Sequence, residues 1–244
     1  MTAMKRFTGI ARGGRNIYGF SLGILMLDTD FPRIPGEIGN ALTWDFPVLY
    51  KLVRGASVQR VVSEGDPTLL NPFIYGAKEL IAQGAQAITT SCGFLAIFQR
   101  ELAEALSVPV FTSALLIVPL VYSMLPEDSK IGIMTFNGKL LTERHFRGAG
   151  IENIPKVVYG MEDSPHFARP IRENTCELDV DGARADHMAT ARKMCRENPD
   201  VRAIVLECTN MPPYADDIRE ATGLPVFDIT DLTKFVYGAV PKSM

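Results

Sequence analysis

AITTSC at residues 87–92 is answered 116 positions later by AIVLEC at 203–208. Each reads as a short apolar, β-branched run ending in a cysteine. Each cysteine is followed by 16 residues and then Pro-Val-Phe, at 109–111 and at 225–227. Two further matched runs lie upstream, GILMLD at 23–28 and GIMTFN at 132–137. An internal repeat of strand, cysteine, helix-length segment and strand predicts two similar halves.

The surrounding pattern is that of an α/β protein, with short apolar runs alternating with longer amphipathic segments. Strands are expected near 22–27, 57–62, 86–91, 108–112, 130–135, 155–159, 202–207 and 224–228. Helices are expected at about 71–83, 93–106, 114–125, 138–149, 183–197 and 213–222. The polar stretch 160–181, with its two prolines, reads as a loop or lid. The expected architecture is two open parallel-sheet lobes with flanking helices, related by a pseudo-twofold, with the active site in the cleft between them. A basic arm would occupy 1–19, the first lobe 20–114 plus 229–244, and the second lobe 115–228. Ligands of open α/β sheets bind outside the carboxyl ends of the strands, so Cys92 and Cys208 are predicted to face one cleft.

Composition narrows the function classes. The net charge of −3 and the lack of an extended basic run argue against a nucleic-acid partner. No apolar run approaches the ~20 residues of a membrane span. Lys5, Arg6, Arg12 and Arg15 precede IYGFSLGILML, a faint copy of a secretory signal. Asp28 and Asp30 follow at once without a small-residue cleavage site, so the reading is a buried strand after a loose basic arm. Four cysteines in 244 residues are too sparse for a disulfide scaffold and lack C-x-x-C spacing. A reducing, cytoplasmic setting with free thiols follows as the expectation. His145, His166 and His187 lack metal-ligand spacing and read as surface or capping residues, so no metal site is expected.

Two opposed thiols suggest proton chemistry at carbon. A thiol at a helix start meets the positive end of the dipole, which favours the thiolate. A base on one face of a carbon and an acid on the other invert a stereocentre next to a carboxylate. Backbone N–H groups at the helix starts, with small polar side chains beside them, would hold the carboxylate and its developing charge. The candidates are Thr90, Ser91 and Gly93 beside Cys92, and Thr209 and Asn210 beside Cys208. Asp28 and Thr29 stand at the end of one first strand, and Thr135, Phe136 and Asn137 at the end of the other.

These motifs resemble the cofactor-independent aspartate/glutamate racemase superfamily, which includes hydantoin racemases, maleate isomerase and arylmalonate decarboxylase. SCGF at 91–94 is similar to its first cysteine motif, and ECTNMP at 207–212 to its second. GILMLD, ending in the Asp28-Thr29 pair, resembles its first strand, and the likeness spans most of residues 20–230. The resemblance implies that Cys92 and Cys208 are the acid/base pair and that no metal, pyridoxal phosphate or nucleotide cofactor is needed. It implies that Asp28 orients or deprotonates a thiol or binds a substrate ammonium. A homo-oligomer and a C-terminal segment that packs on the first lobe are also implied. Gly93-Phe94 replaces the Asn-Thr usual in glutamate racemases, and Asn210 replaces a His or Glu. Glutamate therefore falls as a substrate, and another α-carboxylate or a hydantoin-like ring rises.

The resulting expectation is a racemase or epimerase acting alpha to a carboxylate or carbonyl, with a small carboxylate as its partner. Maleate isomerase-like addition and arylmalonate decarboxylase-like protonation are the enzymatic alternatives. A non-catalytic carboxylate-binding protein is the alternative of another class. Cys176 and Cys195 have no matched partner and read as incidental thiols. Arg33 is a minor candidate for a second substrate carboxylate. Glu207 either raises the pKa of its neighbouring thiol by like charge or points into solvent.

Overall fold

The computed structural model describes residues 8–10 and 13–241. Lys5, Arg6 and Arg12 of the expected basic arm lie outside the described residues. Strands β1 (Leu22–Met26) and β2 (Val48–Leu52) pair in parallel, and helix α1 (Leu70–Ala82) leads to β3 (Ala87–Thr90). Helix α2 (Gln99–Ala105) and β4 (Val110–Phe111) complete a parallel sheet ordered β2-β1-β3-β4.

The second half repeats the plan. After α3 (Val118–Ser123) come β5 (Lys130–Thr135), α4 (Glu143–Ala149), β6 (Lys156–Gly160), α5 (Ala168–Glu173) and α6 (Val180–Glu197). Then follow β7 (Val201–Leu206), α7 (Ala215–Thr222), β8 (Val226–Phe227) and α8 (Ile229–Ala239). The second sheet is also parallel, ordered β6-β5-β7-β8. In both sheets the central pair is largely apolar and buried, as Ile24, Leu25, Ile88, Ile133, Val205 and Leu206 illustrate. Helices covering both faces of a parallel sheet require this. Strand order reverses beside β1 and β3 in one sheet and beside β5 and β7 in the other, so the crevice for a ligand opens at both places.

Two expectations are corrected. The strand predicted at 57–62 is a single π-helical turn, Gln59–Ser63, and the true edge strand is β2. VLYKL buries only Leu49 fully, and its Lys51 pairs with Glu79 at 2.7 Å, so its pattern lacks the continuous apolar run of a central strand. The stretch 160–181 is not simply a loop, because it contains α5, which buries Ala168, Pro170 and Ile171. Pro170 lies in the first turn, where backbone N–H groups have no intrahelical partner to lose.

The halves pack directly on one another. Phe94 meets the edge of His145 at 4.9 Å. A Cβ at Gly148 would lie 1.9 Å from the carbonyl oxygen of Ala96, so only glycine lets α4 approach this closely. Helix α8 returns to pack on β3. Among the described residues no helix is long and apolar enough to cross a membrane.

Candidate active site

Cys92 leaves β3 and caps a 3-10 helix, Gly93–Phe98, that runs into α2. Cys208 leaves β7 one residue after Glu207. The two thiols line one narrow pocket between the halves. Leu27, Ser91, Gly93 and Phe94 line it from the first half, and Phe136, Glu207, Thr209 and Asn210 from the second. The walls are joined where the Thr209 hydroxyl donates to the Ser91 carbonyl at 2.6 Å. Ser91 is fixed in turn by accepting the Leu27 N–H on its Oγ at 2.9 Å.

Neither thiol is activated by its helix start alone. Burial and the negative field of Glu207 push Cys92 up to about 12, although the N–H groups of Phe94 and Leu95 face its sulfur and oppose the rise. Cys208 is pushed well above the ordinary thiol value by burial first and Glu207 second, against the N–H of Asn210. Its thiol donates to Asn210 Oδ1 at 3.6 Å. The expectation of a thiolate favoured by the helix dipole is thus corrected. Desolvation by apolar walls and a buried acid outweighs the one or two N–H dipoles at each thiol.

Glu207 is the unexpected member. Its side chain is fully buried, turned inward rather than to solvent. Oε2 accepts from the Thr135 hydroxyl at 2.6 Å, whereas Oε1 has no partner. Burial raises its carboxyl to about 7. Ser91 stands at the matching place in the first half, immediately before Cys92.

A second acid, Glu37, is also buried but fully engaged. It pairs with Arg33, accepts Asn210 Nδ2 on Oε1 at 3.1 Å, and accepts the Gly39 N–H on Oε2 at 2.6 Å. Arg33 is held by this pair, by donation to Thr29 Oγ1 at 3.0 Å, and by lying 4.8 Å over the Phe31 ring. Thr29 therefore serves Arg33 rather than the pocket. Arg33 in turn is committed to Glu37 and not free for a second carboxylate.

Other predicted residues lie elsewhere. Asp28 accepts the Gly55 N–H at 2.9 Å and pairs with Arg54 at 3.6 Å, so it fastens the turn after β2 instead of addressing a thiol. Asn137 accepts the N–H groups of Lys139 and Leu140 as a turn former. Thr90, by contrast, is buried beside the site: its hydroxyl bonds the Thr112 carbonyl at 2.8 Å and the Cys92 carbonyl at 3.0 Å, and accepts the Cys92 N–H at 3.4 Å, so it holds the backbone of the cysteine. Thr135 reaches the site only through Glu207. His145 caps α4 and is held neutral by burial at about 4, while His187 is buried against Tyr214 rather than at the surface.

Phe31 from the first half and Ile171 of α5 from the second also line the pocket. These elements are clasped together where the Asp30 N–H donates to Asn174 Oδ1 at 2.8 Å and Asn174 Nδ2 donates to Asp30 Oδ2 at 3.0 Å. Asn174 holds a left-handed backbone at φ 53° as it ends α5, a conformation asparagine tolerates. Glu37, Phe31 and Ile171 carried no sequence signal beyond their place in or near loops leaving strand ends.

A model of the Asp/Glu/hydantoin racemase family matches residues 76–233. A dimethylsulfoniopropionate lyase of Durusdinium sp. clade D is 31% identical over 92% of this chain and 77% of its own length. Dimethylsulfoniopropionate lyase 3 of Emiliania huxleyi is 31% identical over 85% of this chain, which spans only 56% of that protein. The solved glutamate racemase of Bacillus anthracis superposes with a TM-score of 0.54 at 16% identity, over 90% of this chain and 82% of its own. That last likeness is one of fold.

Proposed function

Because this chain belongs to the Asp/Glu/hydantoin racemase family, we propose that it removes a proton alpha to a carboxylate with a pocket cysteine. The relatives named as lyases support a dimethylsulfonium group on the β-carbon of that substrate. The observation that carries the reading is that Cys92 and Cys208, one from each half and at equivalent strand ends, line one pocket.

In dimethylsulfoniopropionate the step is a β-elimination. A cysteine thiolate takes the α-proton and becomes a thiol, and the C–H electrons form the carbon–carbon double bond. The β-carbon–sulfur bond breaks and its electrons leave with dimethyl sulfide, so acrylate remains. The thiol so formed is the resting state of this buried cysteine, and its proton passes to solvent when the next substrate binds and the thiolate forms again. Apolar walls exclude water and strengthen every charge interaction during this step. The N–H groups of Phe94 and Leu95 are already aimed at Cys92, where they would stabilise a thiolate without reorganising.

The presence of both thiols favours a second reading, a two-base racemase acting on an amino acid or a derivative such as a hydantoin. The two readings separate in one experiment. The protein is incubated with dimethylsulfoniopropionate while headspace dimethyl sulfide is followed by gas chromatography. In parallel it is incubated in D₂O with chiral carboxylates and hydantoins while α-deuteration is followed by NMR. Dimethyl sulfide release supports the lyase, and deuteration with inversion supports the racemase. The absence of both would overturn α-proton abstraction altogether and return the cleft to a binding role.

A further inference from the structure

We infer that Glu207 is the specificity-determining anchor for a cationic group on the ligand, held at its unpartnered Oε1 within the cysteine pocket. The inference rests on the reading of this pocket as the substrate site and deepens it, because it assigns a residue to the charge of the substrate.

The charged groups around the pocket are paired or neutral, with one exception. Arg33 and Glu37 neutralise one another, and Glu37 has both oxygens occupied by Arg33, Asn210 and Gly39. Asp28 faces Arg54 and Gly55, away from the cleft. The two thiols are pushed far above neutrality and stay uncharged. Glu207 is left as a buried acid with one neutral hydrogen bond and no counter-ion among the described residues. An ionised carboxylate in an apolar wall is costly unless something pairs with it. The missing partner is one positive charge.

The nature of that charge follows from the walls. The Gly93 backbone lies against Oε1, and the pocket that Glu207 lines is lined also by both thiols, Phe94 and Phe136. A compact onium group, with methyls in place of N–H donors, rests on ring faces and needs no hydrogen-bond acceptors beyond the carboxylate. A lone carboxylate oxygen among aromatic side chains suits a sulfonium or quaternary ammonium better than a primary ammonium, which would need acceptors for three N–H groups. Gly93 makes this possible. A side chain there would strike Glu207 Oε1 and its carbonyl and drive the carboxylate out of position.

Cation binding also acts on the thiols. Glu207 raises both cysteines while it is charged and unpaired. A cation seated against it cancels that field, so the thiolate becomes easier to form once substrate is bound.

The test measures binding without turnover. Calorimetry compares the trimethylammonium analogue of dimethylsulfoniopropionate, a far poorer leaving group, with its uncharged tert-butyl isostere. Wild type should bind the cationic analogue about tenfold or more tightly than the neutral one. The affinity for the cation should rise with pH through about 7 as Glu207 ionises. Glu207→Gln should bind both alike with no such rise, and Glu207→Asp should restore the preference. A preference that survives Glu207→Gln, or that wild type never shows, overturns the inference. If Glu207→Gln fails to fold, Thr135→Val decides. Loss of the Thr135 hydroxyl that donates to the carboxylate should move the onset of cation binding to higher pH, and an unmoved onset counts against the inference. Dimethyl sulfide release is scored separately. Release with no Glu207-dependent preference sinks the anchor alone, and a Glu207-dependent preference without release sinks only the lyase reading.

Discussion

The α-carbon of Gly93 lies against the side chain of Glu207 so closely that a Cβ at position 93 would sit 2.2 Å from Oε1 and 2.4 Å from the Glu207 carbonyl oxygen. The glycine of one half and the acid of the other therefore occupy a single space. Gly93→Ala forces one of them to move. It should destabilise the fold by about 1–3 kcal/mol, the usual cost of overpacking, and lower turnover of the pocket's substrate by more than about tenfold. Urea melts and initial rates measure the two effects, and a variant as active and stable as wild type would show that the contact relaxes freely.

Glu207 should leave a signature in stability against pH. Its carboxyl is raised by burial from 4.5 to about 7 in the folded protein. Folding therefore favours the protonated form. The stability this confers is complete below the unfolded value and is lost as pH rises through about 7. At ~1.4 kcal/mol per pH unit, the loss is of order 3 kcal/mol. Glu37 and Asp228 are also raised and slope the same way, so the measurement is the difference between wild type and Glu207→Gln. The variant should show the shallower decline between pH 5 and 8, and parallel curves would place the titration elsewhere.

The two thiols should respond unequally if the reaction is an elimination. One base suffices to remove the α-proton, so one of Cys92→Ser and Cys208→Ser should lose roughly a thousandfold or more in dimethyl sulfide release. The other should lose far less. Racemisation requires both, and there each serine variant would be equally inert. Assays of the paired variants on both substrate types tell the chemistries apart.

Asp28→Asn tests the reassignment of the first-strand acid. Its partners are Gly55 and Arg54, the latter exposed, so the change should shift the rate within about threefold and stability by no more than about 1 kcal/mol. A collapse of activity with unchanged folding would put Asp28 back into the reaction.

Asn174→Gly keeps the left-handed backbone but removes both hydrogen bonds to Asp30. The positions of Phe31 and Ile171 in the pocket lining should loosen, raising KM by several-fold while the fold persists. Steady-state kinetics on the pocket's substrate would show it, and an unchanged KM would mean that packing of Ile171 alone holds the lining.

Much of this architecture could be read in advance because repetition is a strong signal. The matched cysteines and Pro-Val-Phe runs placed β3, β4, β7 and β8 within a residue or two, and both thiols do line one pocket. Edge strand β2 escaped because half-exposed strands lose the continuous apolar run. Helix α5 escaped because two prolines and many polar residues look like loop, although Pro170 stands where a helix accepts it. Glu207 was ambiguous because residues leaving a strand alternate in direction, and one position decides between solvent and core. Asp28 shows the reverse: a residue at the expected strand end whose side chain turned to the nearest turn instead.

The pairing of Ser91 with Glu207 at equivalent strand ends has one more consequence. A site assembled from two like halves would, if perfectly symmetric, accept a small planar ligand in either of two flipped poses. A neutral hydroxyl on one wall and a carboxylate on the other remove that degeneracy. With Glu207 as the cation anchor inferred above, the ligand would take a single orientation, its positive pole toward the second half, and each thiol would always meet the same face of the same carbon.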